Sequence, residues 1–311
     1  MGKRALLLIN RHARKGQQKI STVIELLRER GFDLLEREMP PSGELSNLIR
    51  QHKDRVDLVI VGGGDGTLNA AIAGLIDTQL PLGLLPLGTA NDLARTLGIQ
   101  ADLAQACQVI AAGNTRRIDI GWVNGQHFFN VASLGLSVKI TRELTKEVKQ
   151  RWGILAYAVT AFKVLWKSRP FWAEVREANG QVHSVKTIQI TVGNGRFYGG
   201  GMVVASNATI NDGRLDLYSL SLQHWWQMIA LMPLFQRGHH ASTPWSESWE
   251  GQEFYVQTRR PRSINTDGEI TTSTPAHFRI LPKALTVFTP AQSAGDSTPP
   301  QNTSAGLSPK H

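Results

Sequence analysis

Cysteine is all but missing from this chain. Cys107 is the one thiol among 311 residues, which excludes an internal disulfide and any multi-cysteine metal centre. It sits in residues 103–110, where apolar residues recur at helical spacing, so a core position is expected. Long hydrophobic runs are missing as well. No segment approaches the ~18 apolar residues of a membrane span, and the apolar run after Lys3 and Arg4 is too short for a signal peptide. The opening residues read instead as a first strand, and a reducing cytoplasm is the expected setting. Acidic residues are in deficit: 25 against 34 Lys and Arg, a net charge of +9. That balance suits contact with nucleic acid or with the anionic leaflet of a membrane, and it also suits a merely basic soluble protein. Helix-turn-helix, zinc-finger and aromatic RNA-binding signatures are lacking, so nucleic acid is not an expected partner. The remaining composition, 41% hydrophobic and 19% charged, is ordinary for a globular protein, and the length admits two domains.

Glycine, by contrast, is concentrated in one place. Val61-Gly62-Gly63-Gly64-Asp65-Gly66-Thr67 follows an apolar, β-branched stretch (56–61) and precedes residues 68–76, which have helical spacing. Four glycines and a carboxylate therefore stand at a strand-to-helix turn. Glycines there let the backbone approach a ligand, and the helix start offers unpaired N–H groups to an anion. A carboxylate among those amides repels bare phosphate, but it fits a metal ion that neutralises the phosphate. The turn is not a P-loop, because Gly66 is followed by Thr67-Leu68 rather than Lys then Ser or Thr. Nor is it the dinucleotide fingerprint, which needs Gly where Thr67 stands. A ligand-free βα turn is the alternative reading.

Taken in order, residues 4–9 read as a strand and 18–30 as a helix with Ile20, Val23, Ile24 and Leu27 on one face. A strand (32–38), a helix (42–52) and the strand before the glycine turn follow. Such alternation predicts a parallel sheet with helices on both faces, binding ligands at the carboxyl ends of its strands. Arg14 and Lys15, in the loop after the first strand, would reach nucleotide phosphates there, or else form a solvated basic loop. Residues 82–86 are another strand, and Leu87-Gly88-Thr89-Ala90-Asn91-Asp92 turns into a helix that Asn91 or Asp92 would cap. After Gly113 the texture changes. Alternating runs separated by Asn124-Gly125 and Asn179-Gly180 predict hairpins, and further strands are expected at 181–192, 214–220, 253–258, 277–280 and 284–288. The pattern thus predicts an α/β domain followed, from near residue 120, by a mostly antiparallel β domain. Residues 152–166 and 224–235 read as core helices, the latter with Trp225-Trp226 also suited to a bilayer interface. The Ser-, Pro- and Thr-rich tail (293–311) is expected to be disordered.

Gly63-Gly64-Asp65-Gly66-Thr67-Leu68-Asn69, followed by Leu85-Pro86-Leu87-Gly88-Thr89-Ala90-Asn91-Asp92-Leu93-Ala94, resembles the catalytic domain of diacylglycerol kinases, and most of all the bacterial YegS-like lipid kinases. The likeness continues through Gly193-Asn194-Gly195-Arg196, Asn211-Asp212-Gly213 and Thr266-Asp267-Gly268-Glu269. The first element is shared with NAD kinases; the later blocks favour the lipid branch. The resemblance implies an α/β nucleotide-binding domain (1–122, with the chain returning to it near 288–292), an antiparallel β-sandwich domain (123–288) and an active site in the cleft between them. It also implies an ATP- and Mg²⁺-dependent kinase acting on a hydroxyl of a glycerol-based membrane lipid. It would work in the cytoplasm, transiently at the inner membrane face, and as a homodimer in one arrangement. It implies Asp65 beside the nucleotide's metal, with Gly63, Gly64, Gly66, Thr67, Leu68 and Asn69 around the phosphates and Thr89, Asn91 and Lys15 as further nucleotide contacts. Glu269 would be the general base. A second Mg²⁺, or Ca²⁺, would be held at Asp212 with the carbonyls of Thr209 and Arg214, and Asp119 would join its water network. Two departures stand out. The first loop reads Asn10-Arg11-His12-Ala13-Arg14 where relatives have Asn-Pro-x-Ser-Gly, and Met39 aligns with a nucleotide-contacting threonine. A NAD kinase-like enzyme and a non-catalytic basic binding module are the alternatives.

Overall fold

The structure is a computed structural model, and residues 2–10, 17–143, 168–194, 197–198, 202–203, 209–221 and 245–291 are described. Arg14 and Lys15, the stretches 152–166 and 224–235, Gly195, Arg196, the glycines 199–201 and the tail from 292 lie outside those residues.

The amino-terminal half alternates strand and helix: β1 (Arg4–Ile9), α1 (Gln17–Glu29), β2 (Asp33–Glu38), α2 (Ser42–Gln51), β3 (Leu58–Gly63), α3 (Asp65–Thr78), β4 (Leu82–Pro86), α4 (Asp92–Thr96) and α5 (Leu103–Ala112). The strands are parallel, in the order β2-β1-β3-β4. Successive residues of β1, β3 and β4 are buried, so both sheet faces are covered. Cys107 is fully buried on α5. The register pairs Ile9 with Gly62 and Gly63 with Pro86, which brings the carboxyl ends of the three central strands to one edge.

The carboxyl half is mainly antiparallel: β5 (Thr115–Val123), β6 (Gln126–Phe128), β7 (Val131–Gly135), α6 (Leu136–Glu143), β8 (Phe171–Glu177), β9 (Val182–Thr187), β10 (Gln189–Gly193), β11 (Phe197–Tyr198), β12 (Met202–Val203), β13 (Leu215–Leu220), β14 (Ser246–Gly251), β15 (Glu253–Thr258), β16 (Ser263–Thr266), β17 (Glu269–Ser273) and β18 (Ala276–Phe288). A sheet ordered β14-β13-β10-β7-β16-β17 packs on β8, β9, β15 and the start of β18. Phe128, Phe254, Phe278, Leu217 and Ile264 fill the core between them. A separate core, holding Leu8, Ile60, Ile72 and Leu85, belongs to the α/β half.

β18 joins the two cores. Its first half sends Ala276, Phe278 and Ile280 into the sandwich core, and its second half sends Leu285, Val287 and Phe288 into the α/β core. The change falls at an irregularity between Leu281 and Leu285, where Lys283 has φ +51°. Val287 pairs with Leu82 of β4, so one sheet runs through both halves.

Three details differ from the sequence reading. The strands expected at 277–280 and 284–288 are one strand, β18, interrupted by that irregularity. The run 181–192 is two strands in two sheets, because the chain turns at Ile188, where Thr187 Oγ1 donates to the carbonyls of Gln189 and Leu220. The run after Asn124-Gly125 splits into β6 and β7, because a distant carboxylate takes the amides of residues 129–131.

Candidate active site

That carboxylate and the glycine turn belong to one site, assembled where the two halves meet. β3 ends at Gly63, and α3 begins at Asp65 with Gly64 as its N-cap and no side chain capping it. The first-turn amides therefore face the cleft end of the sheet, where a helix start attracts anions. The neighbouring βα loop presses close: a Cβ on Gly88 would stand 2.5 Å from the Cα of Gly64, so the two backbones touch only because neither residue has a side chain. Asp65 Oδ1 accepts the backbone N–H of Leu93 at 3.3 Å. This bond corrects the expected capping of α4. Asn91, at its N-cap with φ +50°, makes no capping bond; its amide instead exchanges hydrogen bonds with the backbone of Gly88 at 2.9 and 3.0 Å. The helix is capped from the other loop.

The opposite wall is the β16–β17 hairpin. Asp267 and Gly268 form its turn with φ values of +48° and +100°, and Glu269 follows directly. A Cβ on Gly66 would stand 2.7 Å from Glu269 Oε1. The carboxylate of Glu269 thus rests on the bare backbone at the second residue of α3. Residues 203 positions apart along the chain meet there, and a glycine makes room for the contact.

Asp267 holds the turn in place. Its Oδ2 accepts from Phe129 N at 2.6 Å and its Oδ1 from Asn130 N and Val131 N at 3.0 Å. The side chain of Asn69, on α3, also donates to Oδ2 at 3.0 Å and to the carbonyl of His127 at 3.0 Å. Helix α3 is thereby tied to the hairpin that carries Glu269. The four donors favour the ionised form, but burial outweighs them and pushes the Asp267 carboxyl up to about 6. Sequence reasoning took this residue only as part of the Thr266-Asp267-Gly268-Glu269 block. Nothing local announces that its carboxylate is saturated by residues far away in the chain.

A third group surrounds Asp119, which is buried on β5. Its oxygens accept the backbone N–H of Gly213 at 2.7 Å and of Lys283 at 2.6 Å. It thus pins the Asn211-Asp212-Gly213 turn to the irregularity in β18. Asp212 folds back on its own turn: its oxygens accept from Thr209 N at 3.2 Å and Arg214 N at 3.3 Å, and Arg214 Nε lies 3.4 Å away. Thr209, Asp212 and Arg214 therefore share one turn. Behind them Asp216 is buried and pushed up to about 6 by that burial, with Arg214 pulling it back.

Among the described residues, no three His, Cys, Asp or Glu side chains lie close enough to hold a metal by themselves. A cation here would take one carboxylate and complete its shell from carbonyls, water and phosphate oxygens, which is how Mg²⁺ is usually held. Asp65 suits that arrangement, since one long hydrogen bond leaves its carboxylate with acceptor capacity. Thr67 and Thr89 lie on the two loops of this edge, Thr89 exposed and Thr67 with its side chain over Gly63. The side chain of Leu68 is buried in the α/β core and its amide is bonded to Gly64, so its part here is packing. Lys15 lies outside the described residues.

Comparison with known proteins bears on the whole architecture. Residues 4–123 match the diacylglycerol kinase catalytic domain, and residues 130–289 match the YegS C-terminal NAD kinase beta sandwich-like domain. A protein of Citrobacter koseri named "Probable lipid kinase YegS-like" is 32% identical over 90% of this chain and 94% of its own length. The "Diacylglycerol kinase" of Bacillus subtilis is 29% identical over 89% and 93%. A crystal structure from Bacillus anthracis, described as "a putative diacylglycerol kinase", superposes with a TM-score of 0.81 at 25% identity, over 93% of this chain and 95% of that one. Yeast NADH kinase shares the fold alone, at 10% identity and a TM-score of 0.52, over 96% and 86% of the two chains.

Proposed function

This chain belongs to the diacylglycerol kinase catalytic-domain family, in its YegS-like branch, and from that premise we propose that it is an ATP- and Mg²⁺-dependent lipid kinase that phosphorylates a hydroxyl of a glycerol-based lipid at the inner face of the membrane. The observation that carries the reading is the Glu269 carboxylate lying on Gly66, at the start of the helix whose amides would receive the phosphates.

In this reading the turn from Gly63 to Thr67 and the exposed Thr89 bind the triphosphate, and Asn91 keeps the second loop in shape. Glu269 takes the proton of the lipid hydroxyl as its oxygen bonds to the γ-phosphorus. The bond from that phosphorus to the β–γ bridging oxygen breaks, and ADP leaves. A general base supplies ~10²–10⁴-fold, and the rest of the acceleration comes from positioning and charge stabilisation. The Mg²⁺ bound with the nucleotide, near Asp65, would neutralise phosphate charge. A second cation at Asp212, with carbonyls of Thr209 and Arg214, would have to displace the turn's own N–H donors and the Arg214 ion pair from that carboxylate, and Asp119 holds the turn.

The test is purified full-length protein with labelled ATP and mixed micelles of diacylglycerol, phosphatidylglycerol and other hydroxylated lipids. Label should appear in a lipid product and should require a divalent cation. Label transferred to NAD with no lipid present, or none transferred to any lipid, would overturn the reading.

A further inference from the structure

Away from the cleft, three cations from two segments, α6 and the residue just before β16, come together. Lys139 and Arg142 are three residues apart on α6 and so share a helix face. Lys139 Nζ donates to Ser168 Oγ at 3.3 Å, and Arg142 Nη2 donates to Ser263 Oγ at 2.7 Å. The guanidinium of Arg262, next to Ser263 in the chain, lies 3.7 Å above the ring centre of Phe171, three residues beyond Ser168. Among the described residues no carboxylate forms an ion pair with any of the three. Burial and the nearby Arg262 charge hold the Lys139 ammonium below its ordinary value, while Glu143 pulls the other way. Like charges held together with Glu143 nearby but no carboxylate in ion-pair contact carry an electrostatic cost that a bound anion lowers. A guanidinium seated on a ring is also fixed in plane, with its edge donors available to phosphate oxygens.

The cluster is coupled to the cleft by structure. Asn265 Nδ2 donates to Thr141 Oγ1 at 3.2 Å, which fastens α6 to β16, the strand leading into the Glu269 hairpin. From Ser263 to Asp267 is about 13 Å at the usual rise per strand residue. Ile270, directly after Glu269, pairs with Asn265 and is 40% exposed. Cations beside an exposed apolar side chain are the composition that rests on a bilayer interface.

We propose that Lys139, Arg142 and Arg262 form a docking site for the phosphate headgroups of an anionic phospholipid bilayer. The site would hold the cleft against the surface from which its substrate is taken. The proposal rests on the lipid-kinase reading, and the whole chain's charge of +9 agrees with an anionic surface.

The experiment is sedimentation of the full chain, without nucleotide, with vesicles of phosphatidylglycerol and phosphatidylcholine or of phosphatidylcholine alone. Each cation near an anionic surface is worth about fivefold in partition. Lys139→Gln with Arg142→Gln should lower binding to the mixed vesicles roughly 20-fold. Arg142→Glu, at an exposed position, should lower it at least about fivefold with unchanged melting. Raising the salt should reproduce the loss in wild type. Undiminished binding by both folded variants, or equal binding of wild type to phosphatidylcholine alone, overturns the proposal. So does inorganic phosphate that stabilises wild type but not the variants while neither variant's vesicle binding changes, since the ligand is then a soluble phosphate. Vesicle binding needs no turnover, so a failed kinase reading and a failed docking site give different results.

Discussion

Asp65, at the start of α3, and Asp267, on the β16–β17 turn, each stand next to glycine, yet their carboxylates are used in opposite ways. Asp65 accepts one bond, at 3.3 Å, from Leu93. Asp267 accepts four, from three successive backbone amides and Asn69. Asp119 resembles Asp267, with both oxygens taken by amides of distant segments. Saturation separates carboxylates that hold a fold from those left with lone pairs for a ligand. A buried acid with four donors cannot offer them elsewhere without leaving amides unpaired, at about 1–3 kcal/mol each. By this criterion Asp65 and the exposed Glu269 keep lone pairs available for the proposed chemistry, while Asp119 and Asp267 hold the fold around them.

The comparison breaks most visibly if the working acids prove dispensable. Asp65→Asn and Glu269→Gln should each lower kcat by ~10²–10⁴ with melting temperature unchanged, measured by lipid phosphorylation and calorimetry. Gly66→Ala should come next. The added methyl would stand 2.7 Å from Glu269 Oε1 and push that carboxylate aside, so kcat should fall roughly 10–100-fold while nucleotide affinity, read by titration, changes little. Asp267→Asn should act on stability first. An amide group facing three N–H donors should cost about 3 kcal/mol in denaturant unfolding, with roughly tenfold loss of kcat from the displaced hairpin. Asn69→Ala, losing one link, should cost about 1 kcal/mol.

A pH-dependent effect concerns Asp216. Its folded value of about 6 lies above the ordinary 3.8, so between those values the folded state binds more protons than the unfolded one. Stability is therefore fully retained below pH 4 and falls as pH rises through 6. Asp216→Asn should stabilise the protein at pH 8 by roughly 1–3 kcal/mol and leave it unchanged at pH 4. An equal effect at both values would show that the charge is not the cause.

Local features were legible from the residues alone. Strand then helix around Gly62–Thr67, the Asn124-Gly125 hairpin and the strand at 82–86 stand where spacing and turn chemistry put them, since each depends on neighbours a few positions away. Three items of geometry were not legible. The cap of α4 comes from Asp65, although Asn91 is the better local candidate. The break between β6 and β7 comes from Asp267, more than 130 residues downstream. The single strand β18 looks like two because its interruption at Lys283 is made for Asp119.

From its sequence alone the chain determined its α/β-then-β order, its glycine-lined helix start and the family its motifs resemble, because periodicity and turn propensity act over a few residues. Only the tertiary structure decided that Glu269 rests on Gly66, that Asp267 is bound by the 129–131 amides, and that β18 carries one sheet through both cores. Those contacts join segments far apart in the chain, and hydrogen bonding across such distances leaves no periodic mark on the residues that make it.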